Sequence, residues 1–156
     1  MAEIRPIALA VVRDSDRLLV FEGFDPTKDE VFYRPLGGGI EFGETGEQAV
    51  RREILEEIGA EVAYARYVET LENIFVYDGA PGHEIVRVYH VVLLERSSYD
   101  RDAWDGTEGR STLRVLWKAI DDFREGARLY PAGLLDLLYD PAAWPIDDAL
   151  RDLQRR

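Results

Sequence analysis

The sequence contains no cysteine, and this absence removes several kinds of chemistry at once. A chain without thiols forms no disulfide bond, builds no thiolate metal site and offers no cysteine nucleophile. Its two histidines, His83 and His90, do not have the spacing of a histidine metal site. No apolar run approaches the length of a membrane-spanning helix, and no basic segment precedes the first apolar run. We therefore expect a cytoplasmic protein that does not enter the membrane.

Positive charge is scarce as well, with 19 basic residues against 31 acidic ones and a net charge of -12. General binding of nucleic acid is not expected, because it depends on a basic surface. A polyphosphate ligand would also be repelled unless a cation and a local basic patch offset the field. The other proportions, 46% hydrophobic and 32% charged, are those of a globular protein. The length predicts a single domain, residues 1–156.

One stretch, residues 38–60, carries most of the functional information and reads GGIEFGETGEQAVRREILEEIGA. Thr45 and Gln48 have the spacing of a capping box, which predicts a helix beginning near Gly46. Gly59 is well placed to end that helix in a left-handed conformation. The stretch therefore predicts a glycine-rich turn followed by a short helix.

Three glutamates of this helix, Glu53, Glu56 and Glu57, are spaced so that they share one face. Like charges on one face repel each other, and a hard cation such as Mg²⁺ or Mn²⁺ would neutralise them through carboxylate oxygens. The alternative is an ordinary acidic helix whose charges are solvated. A neighbouring apolar stripe that can dock the helix on a core consists of Val50, Ile54 and Ile58.

The same stretch resembles the Nudix box, the signature of the Nudix (MutT-like) hydrolases. The fixed residues of that pattern are present as Gly38, Glu44, Arg52, Glu53, Glu56, Glu57 and Gly59. Two positions depart from it: Ala60 is smaller than the usual aliphatic residue, and Leu36 stands where proline is common. The resemblance implies an α/β/α sandwich with a mixed β-sheet between helices, in which the box forms a loop, a helix and a loop.

The resemblance also implies roles for the box residues. Arg52 would orient Glu53, and Glu44 would brace the loop against the helix. From the residues alone, Arg52 is equally an ion-pair partner of Glu56, four positions along the helix. The implied ligands of Mg²⁺ or Mn²⁺ are the carbonyl of Gly37 and the carboxylates of Glu53, Glu56 and Glu57.

The catalytic base is open between Glu53 in the box and Glu108 in a later segment. Residues 97–112 are polar without helical or strand periodicity, so we expect a long functional loop there. Glu108 would lie on that loop as a base or a further metal ligand, and the alternative is a solvated surface carboxylate. Weaker competitors in the same segment are Asp100, Asp102 and Asp105.

Candidates for substrate binding are an arginine before the glycines and several strand aromatics. Arg34 would contact a phosphate or simply pair with an acidic side chain. Aromatic rings could stack on a nucleobase, although alternating aromatics in strands more often belong to the core. The candidate rings are those of Phe32, Tyr33, Phe75 and Tyr89.

Apolar runs and turn residues predict the remaining elements. Strands are expected within residues 4–12, 18–21, 31–34, 61–77, 85–94 and 113–117, with a loop over 23–30. Helices are expected over residues 131–139, with Pro131 at the first position, and over 146–154, with a helical turn at 120–124. Hairpin-loop residues are expected at 78–79 and 81–82. His90 would be a packed strand residue and His83 a loop residue.

These features together predict a small-molecule hydrolase dependent on Mg²⁺ or Mn²⁺. The bond cleaved would be a diphosphate linkage in a nucleoside diphosphate joined to another moiety, which gives a nucleoside monophosphate and a phosphorylated remainder. Nucleoside triphosphates, ADP-ribose, nucleotide sugars and dinucleoside polyphosphates stay open as substrates, and a homodimer stays open as the assembly. The alternative function is a non-catalytic nucleotide-binding or regulatory module, which the three box glutamates disfavour.

Overall fold

A computed structural model of the protein describes residues 2–155. The strands are β1 (Ile4–Val11), β2 (Arg13–Asp14), β3 (Arg17–Asp25), β4 (Glu30–Arg34), β5 (Leu36–Gly39), β6 (Val62–Tyr77), β7 (Ala80–Leu93), β8 (Ala103–Glu108) and β9 (Ser111–Ala119). The helices are α1 (Gly46–Ile58), α2 (Ser97–Asp100), α3 (Leu134–Leu138) and α4 (Asp148–Gln154), with 3-10 turns at Ile120–Phe123 and Pro141–Ala143. None of the helices in this part of the chain is long and apolar enough to span a membrane.

The strands form two sheets. The first has the order β5-β1-β7-β6, in which β1 runs antiparallel to β5 and parallel to β7. The second has the order β2-β3-β9-β8, and β4 pairs with β3 as well. Antiparallel hairpins join β6 to β7 and β8 to β9, so most pairings are local in sequence. The parallel β1–β7 pair is what brings the N-terminal strand to the middle of the first sheet.

Apolar clusters on both faces of this framework give the fold its layers. One cluster joins α1, through Ala49, Val50 and Ile54, to strand residues such as Val91. The other joins β1 and β7 to the C-terminal helices, with Leu134 at its centre. Strands therefore lie between helical layers, which confirms the mixed α/β sandwich implied by the resemblance.

Helix α1 forms as the sequence predicts. The Thr45 side chain accepts a hydrogen bond from the backbone of Gln48, and the Gln48 side chain accepts one from the backbone of Thr45, which completes the capping box. Gly59 ends the helix with φ at 65°, a conformation that glycine adopts without steric cost. Val50 and Ile54 are fully buried, so the predicted apolar stripe does anchor the helix.

Residues 97–112 contradict the prediction of a long irregular loop. They form α2, strand β8 and the tight turn that leads into β9. The polar sequence of β8 contains no strand pattern, because its regular structure comes from pairing with β9 rather than from an apolar face of its own.

Smaller boundary predictions also fail. The loop predicted over residues 23–30 is shorter, because residues 26–29 form the turn and the residues on either side belong to β3 and β4. Residues 81–82 lie within β7 rather than in a hairpin loop. Helix α3 begins at Leu134, so Pro131 is not its first residue.

The two histidines differ in outcome. His90 packs edge-on between Tyr64 and Trp144, at ring-centroid distances of 5.6 and 5.4 Å, which confirms a packed strand residue. Burial, together with the charges of Arg66 and Arg13, lowers its pKa to about 4. His83 is wrongly predicted as a loop residue, because it lies in β7 beside Ile4 of β1.

Candidate active site

The glycines of β5 allow the carboxylate of Glu53 to lie directly on the strand backbone. A side chain at Gly38 would place its Cβ 2.5 Å from Glu53 Oε1, so only a glycine leaves room for that carboxylate. Gly37 has φ at 146°, and a Cβ there would lie 2.1 Å from the carbonyl oxygen of Ala8. Strand β5 is thus a close-packed floor on which the acidic face of α1 rests.

Arg52 links the loop before α1 to the acidic face. Its guanidinium donates two parallel hydrogen bonds to Glu44, at 2.8 and 2.9 Å, and one to the carbonyl of Gly39 at 2.9 Å. The same group donates to Glu53 at 3.0 Å and to Glu56 at 3.3 Å. This bidentate geometry with Glu44 fixes the plane of the guanidinium, so the arginine holds Glu53 in a defined position.

Glu44 is the fixed end of this network. Hydrogen bonds from Arg52 and from the backbone of Glu41 lower the pKa of Glu44 to about 2. The carboxylate therefore stays ionised at any ordinary pH. The loop and the helix are braced together by the same ion pair, and the alternative partner Glu56 is bonded as well, so both predicted contacts of Arg52 coexist.

Glu57 is the buried member of the acidic face, with 5% of its surface exposed. Its Oε1 accepts a hydrogen bond from the backbone of Gly37 at 3.3 Å. Burial, reinforced by a hydrogen bond with Glu53 and by its negative charge, raises the pKa of Glu57 far above the usual range of a carboxyl group. Two convergent carboxyl groups with so few donors around them are suited to a cation.

The donor set fits a hard divalent cation, although no complete ligand cluster is assembled. Among residues 2–155, no group of three or more histidine, cysteine or acidic side chains stands close enough together to hold a metal ion. Glu56 is drawn to Arg52, and its side chain is 58% exposed. The convergent groups, Glu53 and Glu57, offer oxygen atoms alone, which is the chemistry that Mg²⁺ and Mn²⁺ prefer.

Glu108 comes close to this face because β8 docks on the end of α1. A Cβ at Gly106 would lie 2.5 Å from the carbonyl oxygen of Glu57, so the strand approaches the helix backbone as only glycine permits. The hydroxyl of Thr107 donates to the carbonyl of Glu56 at 3.0 Å. Glu108, the next residue, is exposed and adds its negative charge to the surroundings of Glu57. The hairpin, rather than a mobile loop, positions this carboxylate.

A cavity of about 350 Å³, hereafter the aromatic pocket, opens beside Glu108. Its lining residues are Arg5, Phe21, Asp25, Lys28, Glu30, Phe32, Arg34, Asn73, Phe75, Val76, Tyr77, Glu84, Glu108 and Tyr130. Phe32 and Phe75 lie on different sheets, and each ring covers the glycine opposite it in the strand register, Gly23 and Gly82. The predicted candidates Phe32, Arg34 and Glu108 therefore meet in one cavity.

Arg34 points into this pocket but is already paired. It donates to Glu84 at 2.8 Å, and the Glu84 side chain is only 4% exposed. The sequence left open whether Arg34 meets a phosphate or an acid, and the structure gives it a buried acidic partner. Because one carboxylate can neutralise only one charge, Arg34 and the nearby Arg5 together retain positive charge for an anionic ligand.

Arg5 is the residue that sequence reasoning missed. It lines the aromatic pocket and also a neighbouring cleft of about 370 Å³ that contains Glu53. Its guanidinium is 57% exposed and lies 3.9 Å from Glu84. A lone arginine ahead of an apolar strand carries no motif, and its position follows only from the pairing of β1 with β7.

Tyr89 and Tyr33 lie outside the pocket. Tyr89 is 4% exposed, and its hydroxyl sits where a Cβ of Gly46 would be, 2.2 Å away, so the ring is packed under the start of α1. No ring face of Tyr89 is open to a nucleobase. Tyr33 packs edge-on against Phe123 in the core on the other side of the strand, with its hydroxyl bonded to Glu22 at 3.3 Å.

A larger groove of about 500 Å³ lies elsewhere, between α2 and α4. Its lining includes Arg13, Tyr99 and Leu150 and none of the residues of the box. The larger groove lacks the box residues, so the candidate site is the region beside α1 where charged and aromatic groups converge.

The chain is similar in sequence to known proteins. A family model for the NUDIX domain matches residues 3–137. The NAD-capped RNA hydrolase NudC of Klebsiella pneumoniae is 30% identical over 106 residues, which cover 63% of this chain. The chain spans 40% of the length of that relative.

Solved structures share the fold. A nudix hydrolase family member from Chromobacterium violaceum aligns over 99% of this chain and 89% of its own, with a TM-score of 0.58 and 18% identity. The ORF135 protein of E. coli aligns over 94% of this chain and 96% of its own, with a TM-score of 0.56 and 20% identity.

Proposed function

The chain belongs to the Nudix hydrolase family, and from this membership we propose that it hydrolyses a diphosphate linkage with the help of Mg²⁺ or Mn²⁺. The substrate is a nucleoside diphosphate joined to a further group. The products are a nucleoside monophosphate and a phosphorylated remainder. Residues 1–156 act as one Nudix domain on a small nucleotide.

One observation carries the proposal: the acidic face of α1 adjoins an aromatic pocket that contains arginine side chains, and Arg5 lines both that pocket and the cleft that contains Glu53. A nucleoside diphosphate derivative has the complementary parts, namely a planar base, an anionic bridge and a bond to be hydrolysed. An acidic helix without this pocket would have no means of placing a phosphate against its own charge.

The cation would be held by the carboxylates of Glu53, Glu56 and Glu57 and by the carbonyl of Gly37. When bound, such an ion neutralises phosphate charge and lowers the pKa of a bound water. Arg52 keeps Glu53 in place through its bonds to Glu44 and Gly39. The chain's own contribution is therefore a preformed orientation of Glu53, which need not reorganise during reaction, whereas Glu56 would have to leave Arg52 to reach the ion.

Glu108 is the proposed general base. It is exposed, lines the aromatic pocket and stands close enough to Glu57 to influence its pKa. Glu53 is the alternative base, but its Oε1 already accepts a hydrogen bond from Arg52, which makes it less free to take a proton. A base must reach hydrogen-bond distance of the attacking water, and an exposed side chain at a hairpin end can do so.

The similarity to NudC suggests dinucleotide compounds as one set of substrates to test, alongside nucleotide sugars and triphosphates. A non-catalytic binding module remains the competing function. The intact Arg52 network disfavours it, because a module that only binds a nucleotide gains nothing from a precisely oriented Glu53.

The test is a panel of nucleoside diphosphate derivatives incubated with the protein and Mg²⁺ or Mn²⁺, with nucleoside monophosphate release measured by chromatography. We expect release from at least one compound, none after chelation, and none from the Glu53→Gln variant. Glu47→Gln is the matched control, because Glu47 lies on the same helix but on its exposed side. Binding of a compound without any release by the wild-type protein would favour the non-catalytic module instead.

A further inference from the structure

Two polar side chains, Asn73 and Glu84, are buried in the wall of the aromatic pocket. Each is 3% exposed, and they stand directly opposite each other in the register of β6 and β7. Buried polar groups are normally satisfied by hydrogen bonds. The polar groups of the pocket that have no partner within the protein are therefore the ones available to a ligand.

Three acidic side chains of the pocket wall already accept hydrogen bonds, whereas Glu108 is exposed. Glu84 accepts from Arg34 at 2.8 Å, and Glu30 accepts from the hydroxyl of Tyr130 at 3.1 Å. Asp25 accepts three backbone N–H groups at 3.0 to 3.2 Å, from its own turn and from the β6–β7 hairpin. The buried acidic groups thus serve the protein itself and are poor partners for a donor on a ligand.

Asn73 has a free donor. Its Oδ1 accepts from the backbone N–H of Ala132 at 3.4 Å, and because that group can only donate, the oxygen and nitrogen of the amide are distinguished. Within residues 2–155, Nδ2 donates no hydrogen bond. It is also not one of the fully buried side-chain atoms that lack a partner, so part of its surface is accessible. Its N–H groups are therefore available at the cavity that Asn73 lines.

We propose, resting on the proposed function, that the aromatic pocket holds the nucleobase of the substrate and that Asn73 Nδ2 donates to the carbonyl oxygen at position 6 of a purine base or position 4 of a pyrimidine base. Guanine and uracil carry such an oxygen. Adenine and cytosine carry an amino group at the corresponding position, which is itself a donor. A donor facing Asn73 would leave both groups unpaired, so the pocket discriminates between the two pairs of bases.

The rings of Phe32 and Phe75 supply the stacking that any base can use. Base–aromatic stacking tolerates all four bases, since each has a π-face. Stacking therefore accounts for affinity, and Asn73 accounts for preference. This division makes preference and affinity separable by mutation.

The experiment measures calorimetric binding of the four monophosphates GMP, UMP, AMP and CMP without metal. These compounds contain no phosphate anhydride, so hydrolysis cannot interfere. We expect GMP and UMP to bind about fivefold more tightly than AMP and CMP, the effect of roughly one hydrogen bond. Tighter binding of AMP or CMP, equal binding of all four, or no binding at all would overturn the proposal.

The decisive variants are Asn73→Ala, which should abolish the preference, and Asn73→Asp, which should reverse it by offering acceptors. Glu72→Gln is the matched control, because residue 72 is exposed and adjacent on the same strand. A preference that survives in either Asn73 variant overturns the proposal.

A second readout does not depend on the variants folding. In isotope-labelled wild-type protein, the side-chain amide resonances of Asn73 should shift with GMP and much less with AMP. Equal shifts, or none, would contradict the assignment.

The outcomes separate this inference from the proposed function. If GMP and UMP bind more tightly through Asn73 but no diphosphate compound is hydrolysed, the proposed function is wrong and the base site is supported. Hydrolysis with a base preference that is independent of Asn73 would defeat the base site alone.

Discussion

The acidic face of α1 and the aromatic pocket adjoin, yet they are built in different ways. The acidic face is held by ion pairs and hydrogen bonds between residues 37 and 57, and Glu53 and Glu57 are bonded before any ligand arrives. The pocket is assembled from the ends of separate hairpins, and its rings are positioned by packing against cross-strand glycines. The structure of the acidic face thus depends on charge, and the structure of the pocket depends on packing.

The largest effect is expected when one carboxylate is removed from the acidic face. Glu57→Gln should lower kcat on the order of 1,000-fold, because a cation worth several kcal/mol loses a ligand. Metal-free stability should hold or rise, since an isosteric neutral amide replaces a buried acid. Calorimetric unfolding without metal measures this, with Glu47→Gln as control.

A clear fall in the metal-free melting temperature of Glu57→Gln would show that the carboxylate is structural. Base binding in the pocket should be unchanged in the same variant, which keeps the two regions distinct.

Glu108 stands at the junction and should affect turnover next most strongly. Glu108→Gln should lower kcat roughly 100-fold with little change in KM, the size of effect expected for a general base. Steady-state kinetics on the best substrate checks this, and Asp102→Asn, fully exposed and nearby in sequence, serves as control. Near wild-type turnover would transfer the role of base to Glu53.

Arg5 should show the opposite kinetic pattern. Its guanidinium lines both cavities, so Arg5→Gln should raise KM about tenfold by removing a charge-assisted bond to the substrate, with kcat little changed. Arg151→Gln, on the exposed C-terminal helix, controls for net charge. A loss confined to kcat would instead place Arg5 in the chemical step.

The smallest effect is expected within the pocket. Phe75→Leu should raise KM a few-fold through lost stacking, about 1 kcal/mol, while the dependence of rate on metal concentration stays the same. Kinetics at several metal concentrations tests both parts. Ile74→Leu, on the exposed neighbouring position, should change nothing. An altered metal dependence in Phe75→Leu would mean that the two regions are coupled.

The sequence predicts the acidic face well because its determinants are local. Thr45, Gln48 and Gly59 specify the ends of α1, and the spacing of its glutamates specifies one face. Their contacts with the glycine strand lie within a short segment, so pattern and geometry coincide.

Other parts depend on pairing between distant strands. Strand β8 has no apolar periodicity, and its contact with α1 depends on Gly106, where a Cβ would lie 2.5 Å from the carbonyl oxygen of Glu57. Arg5 and Asn73 line the pocket because of how β1 and β6 pair with β7. No local sequence pattern predicts that pairing. No local pattern marks Asn73, because Glu69, Thr70 and Glu72 make the same stretch of β6 polar.

The width of the aromatic pocket depends on Gly23 and Gly82, which pack against Phe32 and Phe75 but do not line the pocket themselves. A Cβ at Gly23 would lie 2.3 Å from the Phe32 ring, and one at Gly82 would lie 2.2 Å from the Phe75 ring. Any larger residue at either position must therefore displace a ring from its strand. Substitution at Gly23 or Gly82 would then alter the shape of the pocket without changing any residue that lines it or any residue of α1.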